Sequence, residues 1–145
     1  MSDLQPNGAI VQFDGVERRL IWDYGVIEKV QEIYGGHPYT AIMDIFWEGV
    51  DETTKQKIFH YQAKPVIDLM HLLINNEVAR EKFFEGSSTK KTYTREQIGM
   101  IINRINAKEI VQALVDSWKD SMPQPDDDEE NEEDSKNAKS GKLQN

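Results

Sequence analysis

The chain has 145 residues with 17 basic and 26 acidic side chains, a net charge of -9, and no cysteine. That length fits one domain, or one domain with an appendage, and the absence of cysteine excludes disulfides, thiolate metal sites and a cysteine nucleophile. The acidity tells against a nucleic-acid surface, because such affinity comes from Lys and Arg neutralising phosphates.

Charge and apolar residues are distributed unevenly. Residues 123–145 hold eight acidic and three basic side chains, or -5, leaving -4 for the first 122 residues, and their only apolar side chains are Ala138 and Leu143. Such a segment cannot bury enough apolar surface to fold. Residues 123–145 are therefore expected to form a disordered acidic tail, residues 9–122 the folded domain and residues 1–8 a flexible N-terminus. The opening MSDLQPNGAI has neither the basic nor the apolar region of a signal peptide. The most apolar stretch, Val66 to Ile74, carries Asp68 and His71 and falls far short of the ~20 residues that span a bilayer. The expectation is a soluble intracellular protein without membrane contact.

Residues 9–22, AIVQFDGVERRLIW, are two apolar-alternating runs around Asp14-Gly15, a dipeptide suited to a type I′ turn, where both central residues need positive φ. Pairing Phe13 with Val16 sets Val11 opposite Arg18 and Ala9 opposite Leu20. Ala9, Val11, Phe13, Val16 and Leu20 then share one face, with Trp22 beyond. An isolated hairpin is marginal in water, so that face needs a cover.

The cover is expected to be helical. Asp23 can cap a segment that puts Val26, Ile27, Val30, Ile33 and Tyr34 on one stripe, stopped by Gly35-Gly36. A second helix is expected from Pro38 to Thr40 onward, burying Ile42, Met43, Ile45 and Phe46, with Trp47 at its end before Gly49. DETTKQKIFHYQAK, from Asp51, reads as a third, with acid at its start and Lys at its end as the helix dipole prefers. Pro65 marks a kink or a new first turn, and VIDLMHLLI, apolar on nearly every side, suggests the most enclosed helix. Asn76 can cap a short helix EVAREKFFE that ends at Gly86, followed by the polar loop GSSTKKTY. Thr94 and Gln97 form a capping box ahead of Ile98, Ile101, Ile102 and Ile105, and Asn106 with Glu109 repeats the signature. The last helix carries Ile110, Val111, Leu114, Val115 and Trp118 on one face. The fold class is thus mainly α: a small N-terminal β-hairpin packed on five to seven short helices, followed by the acidic tail.

Candidate chemistry is sparse. His60 and His71 are 11 residues apart without a third ligand at metal-site spacing. Asp68 and His71 could orient an imidazole as a base, but a local polar pair inside a buried helix is the simpler reading. Ser87-Ser88 lacks the nucleophile elbow, no phosphate-cradling glycine pattern occurs, and an EF-hand template begun at Asp126 meets Asn131 where Gly is required. Helix-turn-helix binding fails on charge, since AKEIVQALVDSWKDSM has two Lys against three acids. No catalytic residue, metal or cofactor is expected. Exposed aromatics offer a better route to function, because interfaces favour such anchors: Trp47, Phe83, Phe84 and Trp118 lie at segment ends or beside strong charge and are the protein-binding candidates.

The order of features, with Phe13-Asp14-Gly15 followed by Leu20 and Trp22, a helix ending in Tyr34-Gly35, TREQIGMIIN at residues 94–103 and EIVQALVDSWKDSMP running into a charged tail, resembles the tail assembly chaperones of long-tailed, siphophage-type bacteriophages and prophages. The resemblance covers about residues 10–123 and rests on apolar patterns. It implies a non-enzymatic protein of the host bacterial cytoplasm, lost before the mature virion. Such a protein binds the tape measure protein, keeps it soluble and helps the tail tube protein polymerise around it. It also implies a longer form made by ribosomal frameshifting, for which Gly141-Lys142 is the dipeptide that a slippery heptamer would encode. An acidic helical inhibitor or nucleic-acid mimic is the alternative, and a small hydrolase built on Asp68 and His71 a distant third.

Overall fold

A computed structural model describes residues 6–36 and 45–122, and the expected acidic tail and the start of the expected second helix lie outside them. The fold is mainly α, with the expected N-terminal hairpin and a second small hairpin. Strands β1 (Ala9–Phe13) and β2 (Val16–Leu20) pair antiparallel in the predicted register, Phe13 with Val16, Val11 with Arg18 and Ala9 with Leu20. Asp14 and Gly15 both take positive φ, 55° and 78°, as a type I′ turn requires. The inner face buries Val11, Phe13, Leu20 and, unforeseen, Arg18, whereas Val16 at the turn stays half-exposed.

Helix α1 (Tyr24–Tyr34) begins as expected at Asp23, whose side chain accepts from the Val26 N–H at 3.0 Å, and turns inward on Val26 and Val30. Asn7 and Gly8, within the segment expected to be flexible, are tied down. The Asn7 carbonyl accepts from Arg19 at 2.6 Å and the Gly8 N–H donates to Asp120 at 2.6 Å.

A second hairpin replaces the third expected helix and the end of the second, whose Ile45 is helical and, with Phe46, buried as expected. Trp47 and Gly49 do not end a helix, for β3 (Trp47–Val50) pairs antiparallel with β4 (Lys57–His60). Asp51 does initiate helical geometry, accepting from the Thr53 and Thr54 N–H groups, but only one turn forms. The Asp51 carbonyl takes the Lys55 N–H at 2.7 Å, and Lys55 then adopts a left-handed φ of 64° that turns the chain back. The β-favouring residues Ile58 and Phe59 extend it from there. Gly49 leaves room for the His60 ring to lie across β3, because a Cβ there would collide with it.

Helix α2 (Ala63–Glu85) runs unbroken through 23 residues, merging two expected segments. Pro65 falls in its first turn, where no intrahelical N–H is needed. Asn76 caps nothing; its amide donates to Asp23 at 2.9 Å, tying α2 to the start of α1. Gly86 closes the helix in a left-handed conformation. Leu69, Met70, Leu73 and Ile74 are fully buried, making α2 the central element, as the apolar run predicts.

Helix α3 (Arg95–Ile101) carries the predicted Thr94–Gln97 capping box. It is too short to enclose Ile105, which is 92% exposed. Helix α4 (Ala107–Ser121) buries Ile110, Val111, Leu114, Val115 and Trp118, the expected stripe, against β1 and α2. Its expected Asn106–Glu109 capping box is absent. Asn106 and Asn103 instead exchange side chain to backbone bonds of 2.8 and 3.0 Å across the α3–α4 turn. Four complete helices form among the described residues, and most of the second expected helix lies outside them.

Candidate functional site

The buried charged residues form two clusters around α2. In the first, both oxygens of the Asp68 carboxylate are engaged: Tyr34 Oη donates at 2.6 Å, Lys64 Nζ at 2.8 Å and Arg95 Nε at 2.5 Å. Burial would raise the Asp68 carboxyl, but these hydrogen bonds from Lys64, Tyr34 and Arg95 outweigh it and hold the group below its ordinary value. Tyr34 is pushed far the other way, by burial and by donating to that carboxylate, so it stays a phenol. The cluster joins α1, α2 and α3 and offers no free base. His71 takes no part in it.

In the second, Arg18 and Glu77, 1% and 6% exposed, meet through Nε and Oε1 at 2.5 Å. Arg18 Nη2 also donates to the carbonyls of Ile74 and Lys91, and Glu77 Oε2 accepts from the Arg19 N–H at 2.9 Å and from Lys90 at 2.8 Å. Burial alone would lower the Lys90 ammonium, yet its bonds to Glu77 and Glu81 raise it. The cluster clamps β2 and the 86–94 connection to α2. Its signal in the sequence was Arg18 facing Val11, an arginine on an otherwise apolar face.

Acid should dismantle the first cluster. Because the Asp68 carboxyl lies lower in the folded chain than in the unfolded one, its stabilisation is complete above the unfolded value of ~3.9 and is lost as pH falls through the folded value. Asp23 and Glu81, also lowered, act in the same direction. Asp68→Asn should cost on the order of 1 kcal/mol at pH 7, the low side for charge-assisted bonds because Lys64 and Arg95 are partly in water. Urea midpoints followed from pH 7 to 3 should then fall less steeply for the variant than for the parent chain.

No group of three or more His, Asp or Glu side chains among the described residues is placed to hold a metal. His60 lies on β4, its ring stacked on Trp47 with centroids 5.6 Å apart, and His71 on α2, so the continuous helix that would have aligned them does not exist. Of the four aromatic candidates, Trp47 is 48%, Phe83 80% and Phe84 57% exposed, while Trp118 is buried in the core at 7%. Phe83 and Phe84 pack edge to face at the end of α2, away from the N-terminal turn of that helix.

An apolar groove lies at that opposite end of α2. Its volume is about 270 Å³, and its walls come from Val66 and Ile67 of α2, Gly99 of α3, Ile102 and Arg104 of the α3–α4 turn and Tyr61. Tyr61 also borders a second depression of about 260 Å³ beneath β4, reaching Lys57, Phe59 and Lys108. Met100 and Ile105, both strongly exposed, belong to the same α3 and α3–α4 segment. Gly99 keeps the floor low. A glycine inside a helix costs roughly 0.5–1 kcal/mol against alanine, and a Cβ here would meet only Ile67 at an ordinary 3.5 Å, so nothing in the fold requires it. This groove was not legible in the sequence, because the stripe Ile98 to Ile105 reads as one buried helix face.

No family model, curated protein or solved structure matches the chain. No described helix is long and apolar enough to cross a membrane.

Proposed function

We propose that this protein is a tail assembly chaperone of a long-tailed bacteriophage or prophage, acting by binding and without catalysis. One observation carries the reading: an apolar groove lined by a helix-interior glycine and accompanied by exposed Met100 and Ile105. Helix-in-groove recognition is the mode such a surface serves, with client side chains spaced i, i+3, i+4 and i+7 as anchors. A tape measure protein, long and helical, would present many such stripes, and covering them keeps the client soluble while tail tube subunits assemble around it. The longer frameshifted form belongs to the same reading, and DNA across Ser140 to Lys142 without a slippery heptamer or an overlapping frame would remove that part.

Two tests address the core of the proposal: a very long helical reading frame should adjoin this gene, and its product, taken as the tape measure protein, should be co-expressed with this chain. Client solubility should rise with the parent chain and return to its unaided level with Gly99→Leu, whose side chain fills the groove from a position where leucine favours the helix. A Gly99→Leu chain that folds and still rescues the client would sink the groove as the binding site.

A further inference from the structure

The groove carries a charge opposite to that of the molecule. Arg104 lines it, and Lys57 and Lys108 line its continuation past Tyr61. All three are exposed and form no ion pair among the described residues, on a chain whose net charge is -9. The single carboxylate lining either depression is Asp51, whose Oδ1 already accepts from the Thr53 and Thr54 N–H groups. Cations are therefore concentrated where the apolar floor is exposed.

We infer that this groove takes an amphipathic helix whose apolar stripe is flanked by carboxylates. The inference rests on the proposed binding role of the groove and adds the chemistry of its occupant. A neutral apolar helix would shield three cations from water without offering them partners. A lysine-flanked one would meet like charge. A purely acidic strand would match the cations but leave Val66, Ile67 and Ile102 wet. An acid-flanked stripe satisfies both parts, with the carboxylates at the rim, where exposed pairs select between partners more than they add affinity.

Four dye-labelled peptides and the full-length chain test this by fluorescence anisotropy. Three share a leucine stripe at i, i+3, i+4 and i+7 and differ only in Glu, Gln or Lys flanks; the fourth is residues 124–135 of this chain, which supplies acid without a stripe. At low salt the Glu-flanked peptide should bind about tenfold more tightly than the Gln-flanked one, the sum expected of three exposed ion pairs, with the Lys-flanked peptide weakest. The general field of a negative chain favours the reverse order, so the two explanations separate. The preference should fade at 1 M salt, where the Debye length is about 3 Å. It should also vanish in the combined Lys57→Gln, Arg104→Gln and Lys108→Gln chain.

Equal binding of the Glu and Gln peptides, or a preference that survives the triple substitution, overturns the inference and leaves the groove as a binding site. Binding of the fourth peptide as tightly as the Glu-flanked one also overturns it, since the stripe would be irrelevant. If no striped peptide binds, or if Gly99→Leu weakens none of them, the groove reading itself falls.

Discussion

Glu77→Ala should destabilise the fold by about 3 to 5 kcal/mol, because it strands the Arg18 guanidinium without its counter-charge in the core. The penalty belongs to the uncompensated charge. Replacing both partners, Arg18→Leu with Glu77→Leu, should therefore cost far less than the single change, and a double-mutant cycle in urea should show strong coupling. Arg18 retains two carbonyl acceptors and Lys90 retains Glu81, so the single variant can still fold far enough to be measured. A loss below about 1 kcal/mol for Glu77→Ala would mean that water reaches the cluster and that it holds nothing together.

Trp118→Ala should be comparably severe, at about 3 to 5 kcal/mol, since a large ring leaves a cavity that its neighbours fill only in part. Phe83→Ala should stay within about 0.5 kcal/mol, because its ring already stands in water. Thermal or urea unfolding of the two chains side by side reads the contrast directly. A near-equal loss would show that exposure does not distinguish these aromatics. Trp118 and Phe83 both sit beside charged residues in the sequence. What separates them is the face of the helix: Trp118 continues the stripe from Ile110 through Leu114, whereas Phe83 has turned past the core-facing side of α2.

Legibility followed the range of the forces involved. The first hairpin was readable because Asp14-Gly15 and the alternation around it fix a register within a dozen residues, and the Thr94–Gln97 box is equally local. Local rules misread residues 51–60, where Asp51 caps a single turn and Lys55 reverses it; nothing in the composition of DETTK marks lysine for a left-handed conformation. Asn76 carried capping chemistry that a distant partner, Asp23, took over, while Asn106 spent its side chain on Asn103 within the α3–α4 turn. The groove depended on where α3 stops. A stripe of four isoleucines is a buried face if the helix continues and a half-open wall if it ends at Ile101, as it does.

The two ends of the described chain meet in the fold. The Trp22 indole donates to Ser117 at 2.8 Å across 95 residues, and Gly8 reaches Asp120 across 112. During synthesis the first hairpin therefore leaves the ribosome long before α4 exists to cover it. At about 5 to 20 residues per second, Val11, Phe13 and Leu20 wait on the order of 5 to 20 seconds for that cover. A protein proposed to shelter the apolar stripes of another chain thus begins with an unsheltered one of its own, and how quickly it is translated bears on how much of it reaches the folded state.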